Sequence, residues 1–421
     1  MKKRLLLLLA VVLMTALFGC SEKKAAQDGP VEVVVWHTLT DHHAAAYQAM
    51  VDDFNALHEG EIKVVVQPQP LQDFDAKVAQ AVANGEGPDL ISAYPTNASD
   101  YVEDGLILNF TPYIDDPEIG IPNFRDELSE SIIAEISQWD EGSIYLIPNI
   151  KTGEVLFYNK TLFDELGLAA PKTWTDVENA AKAITAVTGK PAFGFDSLID
   201  GLTAMFIQGG ADYIDTESKT VLFNTPESVK RLEWFGKGVQ EGYFRLVGED
   251  QYFSNPFGSQ AVAMYIGSSA GIDFVLSAVD GKFEVGIVGL PQEGPVEYAN
   301  SWGGGMMVFK SDEATEKAAY LFVKYQIQPE INAKYAVDFG ATTPYKSSLE
   351  QPVFIEYRDA NPVVPALMDT ISHVGYLPSI QGSNDVRTEI GKAGESVATG
   401  LMSAQEALDA AEAACNEALQ R

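Results

Sequence analysis

Histidine and aspartate residues crowd together near the start of the chain and raise the question of a metal site. His37, Asp41, His42 and His43 lie within seven residues. On a helix, a spacing of four would bring His37 and Asp41 to one face, whereas His42 and His43 would diverge. No cysteine and no second histidine cluster completes a tetrahedral ligand set. The sequence therefore predicts no metal and no other cofactor.

A serine between two glycines follows a predicted strand. Gly267-x-Ser269-x-Gly271 matches the nucleophile-elbow pattern, in which a serine occupies a tight strand-to-helix turn. His373 is the only histidine downstream, and no His-Gly-Gly oxyanion motif precedes the serine. Small residues in a turn also let the backbone approach a phosphate or hydroxyl group closely. We predict that the protein is not an enzyme, with a secreted serine hydrolase as the alternative.

Aromatic and polar residues follow two other predicted strands. Trp36 and His37 close the first strand, at the end where open α/β sheets bind ligands. A tryptophan face can stack on a sugar ring; the alternative is that Trp36 is core and His37 caps the next helix. Asn149, Lys151 and Thr152 lie on a polar turn after a short apolar run. Lys151 there either pairs with an anion or is a solvated charge.

The first residues have the pattern of a secretory signal peptide. Three basic residues precede an apolar run at 5–18 that is too short to span a membrane. The Leu-Phe-Gly-Cys sequence that ends at Cys20 resembles a bacterial lipobox. We expect a signal peptide at 1–19, a lipid anchor on Cys20 and a tether at 20–30; a plain secretory signal is the alternative. Cys415 is then the only remaining cysteine, so no internal disulfide is predicted.

Length and composition indicate a globular protein with two domains. The chain has 421 residues, of which 46% are hydrophobic and 10% aromatic. Its formal net charge of −32 repels nucleic acid and anionic lipid, so we expect no nucleic-acid partner. Beyond the N-terminal run, no stretch approaches eighteen apolar residues, and we expect no membrane-spanning helix.

Strand and helix patterns alternate along the chain. The first third reads as strands at 31–36, 62–66 and 88–94 with helices at 41–57 and 71–83, the doubly wound pattern. Beyond residue 158 we predict helices around a smaller sheet, with strands at 192–195, 259–266 and 283–290 and helices at 202–208 and 226–242. A strand at 306–309 should return to the first sheet, followed by helices at 313–326 and 329–339, a hinge strand at 340–345 and a last helix at 404–419.

Several segments together resemble the solute-binding proteins of ABC importers. They are "NGEGPDLI" at 84–91 and the segment 145–174, where a strand ending in proline leads through a polar turn to "LFYNKTLFDELGL" and "PKTW". The resemblance is to the maltose-binding and glycerol-3-phosphate-binding class (family 1). It implies an α/β, two-lobed periplasmic-binding-protein fold (type II-like), each lobe a sheet flanked by helices and joined by hinge crossings. It also implies lobe boundaries, with 31–150 plus 300–342 in lobe 1 and 151–299 plus 343–421 in lobe 2.

The same resemblance implies ligand-binding residues. "AMYIGSSAG" is similar to a strand and turn whose serines contact a ligand phosphate, and "WGGGMMVF" to a turn whose amides donate to the ligand. Arg387 falls where the class has an arginine in its C-terminal helical region, whereas Pro95 stands where it has an acidic residue. The candidate ligand-binding residues are Trp36, His37, Phe74, Asp75, Tyr94, Asn149, Lys151, Thr152, Ser268, Ser269, Gly304, Gly305 and Arg387.

The resemblance finally implies a role in transport. We expect an extracytoplasmic, lipid-anchored monomer that delivers a small solute to ABC permease subunits in the cytoplasmic membrane. Closure of the two lobes about the hinge would trap the solute. The expected solute is small and polyhydroxylated: glycerol 3-phosphate, a glycerophosphodiester or a sugar, with an oligosaccharide as the alternative.

Overall fold

A computed structural model describes residues 29–421 of the chain. The predicted signal peptide, the lipidation site Cys20 and most of the tether at 20–30 lie outside the described residues. None of the helices in the described part is both long and apolar enough to cross a membrane.

Runs of β-branched and aromatic residues form the strands. They are β1 Val31–His37, β2 Ile62–Pro68, β3 Leu90–Ala93, β4 Ile147–Pro148, β5 Thr152–Asn159, β6 Ile214–Asp215, β7 Thr220–Val221, β8 Met264–Ser268, β9 Val285–Gly289, β10 Ser301–Trp302 and β11 Gly305–Val308. The first sheet has the order β2-β1-β3-β11-β4. β1 is parallel to β2 and β3, and β11 is antiparallel to β3 and β4. Strand β11 thus returns to the first sheet from a distant part of the chain, as predicted.

The second sheet is built on β5. This strand pairs antiparallel with β8 and β9, and its first two residues pair with β10. All eight residues of β5 are buried. Val155 and Phe157 pack in one hydrophobic cluster and Leu156 and Tyr158 in another, because alternate side chains of a strand point to opposite faces. Strands β6 and β7 form a separate two-stranded sheet.

Helices cover both sheets and end at local signals. Thr173 and Asp176 form a capping box at the start of Trp174–Thr188, and Gly167 ends Lys160–Leu166 with a φ of 66°. The α-helices are Asp41–Leu57, Phe74–Ala83, Pro95–Glu103, Thr111–Ile114, Glu130–Ile136, Lys160–Leu166, Trp174–Thr188, Leu198–Gln208, Pro226–Gln240, Ser254–Gly258, Ile272–Val279, Glu313–Gln326, Pro329–Asp338, Lys346–Leu349, Pro352–Ala360, Val363–Ser372, Ser383–Ala398 and Ala404–Leu419.

The hydrophobic residues separate into a core for each lobe. One cluster surrounds the first sheet, and two further clusters lie on the two faces of β5. This confirms the predicted α/β fold with two lobes. Tyr345 and Phe354 belong to the first cluster, although the predicted boundary at 343 assigned them to the second lobe. The reason is that Pro352–Ala360 packs against Pro329–Asp338, a helix of the first lobe.

Three crossing segments run side by side between the lobes. Lys151 and Thr342 exchange two backbone hydrogen bonds of 2.8 Å, and Trp302 pairs with Thr152. The predicted hinge strand at 340–345 is reduced to this single bridge. The predicted strand at 192–195 also makes only isolated bridges, which run to two different segments, so no ladder forms.

Candidate functional site

A cavity of about 530 Å³ lies between the two lobes. Its first-lobe wall follows the carboxyl ends of the parallel strands β1 and β3, which is where open α/β sheets bind ligands. The crossing segments and the turn after β8 form the rest of the cavity lining. The structure brings together nine of the predicted residues in this cavity: Trp36, His37, Phe74, Asp75, Tyr94, Asn149, Thr152, Ser268 and Gly304.

The last two side chains of β1 are oriented by local hydrogen bonds. Trp36 Nε1 donates to Gln67 Oε1 over 2.9 Å, which anchors the indole to the neighbouring strand β2. His37 Nδ1 accepts from the Leu39 amide at 3.1 Å. Burial lowers the pKa of His37 below its ordinary value, which favours the neutral imidazole at pH 7; with Nδ1 accepting from Leu39, its Nε2–H can donate to a hydroxyl group.

The wall after β3 combines an aromatic ring with an acid. Tyr94 precedes the helix Pro95–Glu103 and is 48% exposed, although a ring of its size is usually covered. Asp75, in the first turn of Phe74–Ala83, accepts from Asn97 Nδ2 at 3.1 Å. Its second carboxylate oxygen therefore remains available to accept from a ligand hydroxyl.

Glycines allow the crossing segment that contains Trp302 to lie directly against β3. Gly303 has a φ of +93°, and a Cβ on Gly304 would come within 1.9 Å of the Ala93 carbonyl oxygen. No other residue type fits at Gly304 without moving the backbone. The structure places Gly305 outside the cavity, because this residue pairs with Ala93 and Pro148 inside β11.

A second cavity of about 300 Å³ continues the first. Tyr94 and Trp302 line both cavities, so the two form one cleft divided by aromatic rings. The lining of the second cavity includes Glu135, Asp200, Tyr252, Tyr298, Asn300 and Arg387. Trp302 was not among the predicted residues, although it directly precedes the predicted glycine turn. Of the predicted residues, only Tyr94 and Arg387 line this second cavity.

The charges of the second cavity are paired within the protein. Arg387 Nη1 contacts Asp200 Oδ1 at 2.8 Å, and Ser197 Oγ donates to Asp200 Oδ2 at 2.5 Å. Asn300 Nδ2 donates to the backbone carbonyl of Asp200 at 2.7 Å. Glu154 is fully buried nearby; burial, with the Asp200 carboxylate adding to it, raises the pKa of Glu154 well above its usual value. One guanidinium therefore neutralises one carboxylate, and burial favours the protonated form of Glu154.

Besides Gly305, two predicted residues are buried outside both cavities. Lys151 Nζ contacts Glu135 Oε2 at 2.8 Å, with only 4% of the lysine side chain exposed. Its ammonium is thus occupied by an acid of the first lobe and does not reach the cleft. Ser269 is fully buried, and its Oγ accepts from the Gly153 amide at 3.4 Å. Ser268, one residue earlier, lines the first cavity.

The burial of Ser269 also removes the geometry of a nucleophile elbow. His373 lies beside Glu297 at 3.3 Å, and no hydrogen bond joins it to Ser269 within residues 29–421. Gly267 has a packing role, because a Cβ there would lie 2.5 Å from Asp196 Oδ2. The glycine–serine pattern therefore reflects close packing around the β8 turn.

The histidines near the N-terminus make aromatic and surface contacts. His43 stacks on Phe339 with ring centroids 3.9 Å apart, and His42 Nε2 lies 3.7 Å from Asp273. Over the described part of the chain, no group of three or more histidine, cysteine, aspartate or glutamate residues is arranged to hold a metal ion.

Comparison with known proteins identifies the family. The profile of the family described as bacterial extracellular solute-binding protein matches residues 49–362. An arabinooligosaccharide-binding protein of Bacillus subtilis is 27% identical over 237 residues, which are 54% of this chain and 52% of that protein. The sn-glycerol-3-phosphate-binding periplasmic protein of Pectobacterium atrosepticum is 22% identical over 94% of this chain and 93% of its own.

A solved structure shows the same fold over most of the chain. The GacH receptor of Streptomyces glaucescens, solved unliganded and with acarbose, has a TM-score of 0.81 and 21% identity. The match covers 93% of this chain and 99% of that one. The chain therefore belongs to the family of bacterial extracellular solute-binding proteins of ABC transporters, which bind solutes and are not enzymes.

Proposed function

We propose that this protein captures a neutral polyhydroxylated solute, a sugar of two or more units, for an ABC importer. As a member of its family, the protein acts outside the cytoplasm. The observation that carries the proposal is the pairing of charges in the cleft. Among the described residues that line the two cavities, the only lysine or arginine is Arg387, and Asp200 already neutralises it.

Charge opposes an anionic solute in the first cavity, and the second offers it no unpaired cation among the described lining residues. Asp73 and Asp75 line the first cavity, whereas in the second Glu135 pairs with Lys151 and Asp200 with Arg387. A phosphate would enter this cleft in a chain whose formal net charge is −32. Carboxylates are instead good acceptors for sugar hydroxyl groups, because each has two oxygens that accept hydrogen bonds.

Aromatic rings suit the apolar faces of sugar rings. Trp36, Tyr94 and Trp302 line the first cavity, and Tyr94, Tyr252 and Trp302 line the second. Tyr94 and Tyr252 are 48% and 55% exposed. Burying such rings against a ligand removes apolar surface from water, and this favours closure only when a ligand lies between the lobes. Two successive ring-lined cavities support a solute with more than one sugar unit.

Delivery to the importer follows from closure. The cleft is lined by both lobes, so a solute that contacts both stabilises the closed state by its differential affinity. We further propose that Cys20 carries a lipid anchor, which would keep the loaded protein near permease subunits in the cytoplasmic membrane. We propose that the protein works as a monomer.

A phosphate-bearing solute is the second candidate. Arg387 uses only Nη1 in its contact with Asp200, and its Nε and Nη2 make no hydrogen bond to other described residues. Those two nitrogens could each donate to a different oxygen of the same phosphate group, a bidentate contact. The similarity to a glycerol-3-phosphate-binding protein over more than nine-tenths of both chains supports the same candidate.

Calorimetric titration distinguishes the two candidates. The wild type would be titrated with maltose, maltotriose, glycerol 3-phosphate and glycerophosphocholine at about 0.05 M and about 0.5 M NaCl. We expect a sugar to bind with little change between the salts, because screening acts on charges. Tyr94→Ala should weaken that binding about tenfold through lost stacking, about 1–2 kcal/mol.

The control is Leu222→Ala, which removes a side chain that is 42% exposed and lies outside both cavities. It should leave the sugar affinity unchanged. Tight, salt-sensitive binding of glycerol 3-phosphate without sugar binding would contradict the neutral-solute proposal and favour the second candidate.

A further inference from the structure

Residues 375–382 form a strap along the second cavity. They connect the helices Val363–Ser372 and Ser383–Ala398, and Leu377 and Ile380 pack against the second-lobe core. Gly375, Leu377 and Ser379 line the second cavity. The strap therefore belongs to the second lobe and covers part of the cleft.

Two side chains of the first lobe bind the backbone of the strap. Gln138 Oε1 accepts from the Ser379 amide at 2.6 Å, and Asp100 Oδ1 accepts from the Gly382 amide at 3.3 Å. Gln138 follows the helix Glu130–Ile136, and Asp100 lies in Pro95–Glu103. These elements also supply Glu135 and Pro95 to the wall of the second cavity.

Both acceptors are held in place by their surroundings. Gln138 Nε2 donates to the Glu135 carbonyl at 2.8 Å, which turns Oε1 toward the strap. Asp100 meets the N-terminal end of Ser383–Ala398, where the helix dipole favours a negative charge. Separation of the lobes would break both hydrogen bonds together.

We infer that Gln138 and Asp100 are positioning residues for closure, which hold the strap over the second cavity and thereby retain the solute. The inference rests on the proposed capture of a solute between the lobes. A single hydrogen bond of this kind changes an equilibrium about two- to tenfold. Each acceptor should therefore contribute a factor of that size to the ratio of closed to open protein.

Distances between spin labels on the two lobes test this without any solute. Labels would be attached to Glu59→Cys in the first lobe and Lys237→Cys in the second, both exposed positions, in a chain that carries Cys20→Ala. Cys415 can stay, because it is buried and burial raises the pKa of its thiol to about 12. The measured distance distribution then gives the ratio of closed to open protein.

Gln138→Ala and Asp100→Ala should each lower the closed-to-open ratio about two- to tenfold. Asp100→Asn keeps an acceptor oxygen for the Gly382 amide and should stay close to wild type. The matched control is Gln240→Ala, which removes a hydrogen bond of 2.8 Å to the Val397 carbonyl within the second lobe. It should leave the ratio unchanged.

Unchanged ratios in both alanine variants would overturn the inference, as would an Asp100→Asn variant that behaves like Asp100→Ala. A wild type with no closed population would overturn it as well. Because no solute is added, these outcomes are independent of whether maltose or any other probe binds. Failure of the calorimetric panel would count against the proposed function and would not alter these distances.

Discussion

For the Asp200–Arg387 ion pair, we expect the loss of one charge to lower the free energy of unfolding far more than the loss of both. The two side chains are 6% and 30% exposed, and the fully buried Glu154 lies close to Asp200. Arg387→Met keeps the apolar stem but leaves the Asp200 carboxylate without its counter-ion. Breaking one partner of a buried pair costs about 3–5 kcal/mol. Because Arg387 is partly hydrated, we expect a loss of about 3 kcal/mol in the free energy of unfolding.

Removal of both charges should be far less costly. Asp200→Asn preserves the shape of the side chain and an acceptor for Ser197 Oγ. The double variant Asp200→Asn/Arg387→Met contains no unpaired buried charge, so we expect it within about 1 kcal/mol of wild type. The interaction between the two sites in the double-mutant cycle should then be about 2 kcal/mol or more.

Urea unfolding of the solute-free protein at neutral pH measures these differences. Trp174, fully buried in the second-lobe core, makes tryptophan fluorescence a suitable signal. With a slope of about 3 kcal/mol per molar urea, Arg387→Met should lower the midpoint by roughly 1 M. The control is Arg358→Met, which removes an arginine that is 45% exposed and pairs with Asp359; it should cost less than about 1 kcal/mol. Equal losses in the two arginine variants, or additive losses in the double variant, would refute the reasoning.

Three further predictions concern other parts of the chain. Cys20→Ala should move the protein from the membrane fraction to the soluble fraction; a variant that still pellets after a high-salt wash would disprove the anchor. Ser269 should not react with a fluorophosphonate probe, because it is fully buried, and stoichiometric labelling in mass spectrometry would reverse that conclusion. Burial raises the pKa of Asp196 from 3.8 to about 7, so the unfolded chain releases this proton first and stability falls as pH rises between those values. Asp196→Asn keeps an acceptor for the Phe253 amide but does not titrate. In urea unfolding, the stability of this variant relative to wild type should increase by about 3 kcal/mol from about pH 5 to about pH 8. A stability difference that stays the same across this pH range would contradict the raised pKa of Asp196.

Local patterns in the sequence determine much of the secondary structure. The helices Asp41–Leu57, Glu313–Gln326 and Ala404–Leu419 have the predicted bounds, because their apolar spacing and end signals lie within a few residues of one another. The strand β1, which ends with Trp36 and His37, follows from one β-branched run. The strand predicted at 192–195 is not formed as a ladder, since pairing depends on distant partners that local pattern does not contain.

Nine residues of the first cavity were predictable, because most of them lie at strand ends or in a glycine turn, and both are local signals. The second cavity was not. Arg387 meets Asp200 across 187 residues, and the Ser379 amide meets Gln138 across 241. An isolated lysine, such as Lys151, has the same sequence signature whether it faces a ligand or a partly buried Glu135. Which charge remains free for a solute is therefore decided by long-range packing, and only the tertiary structure shows that the cleft's one arginine is already paired.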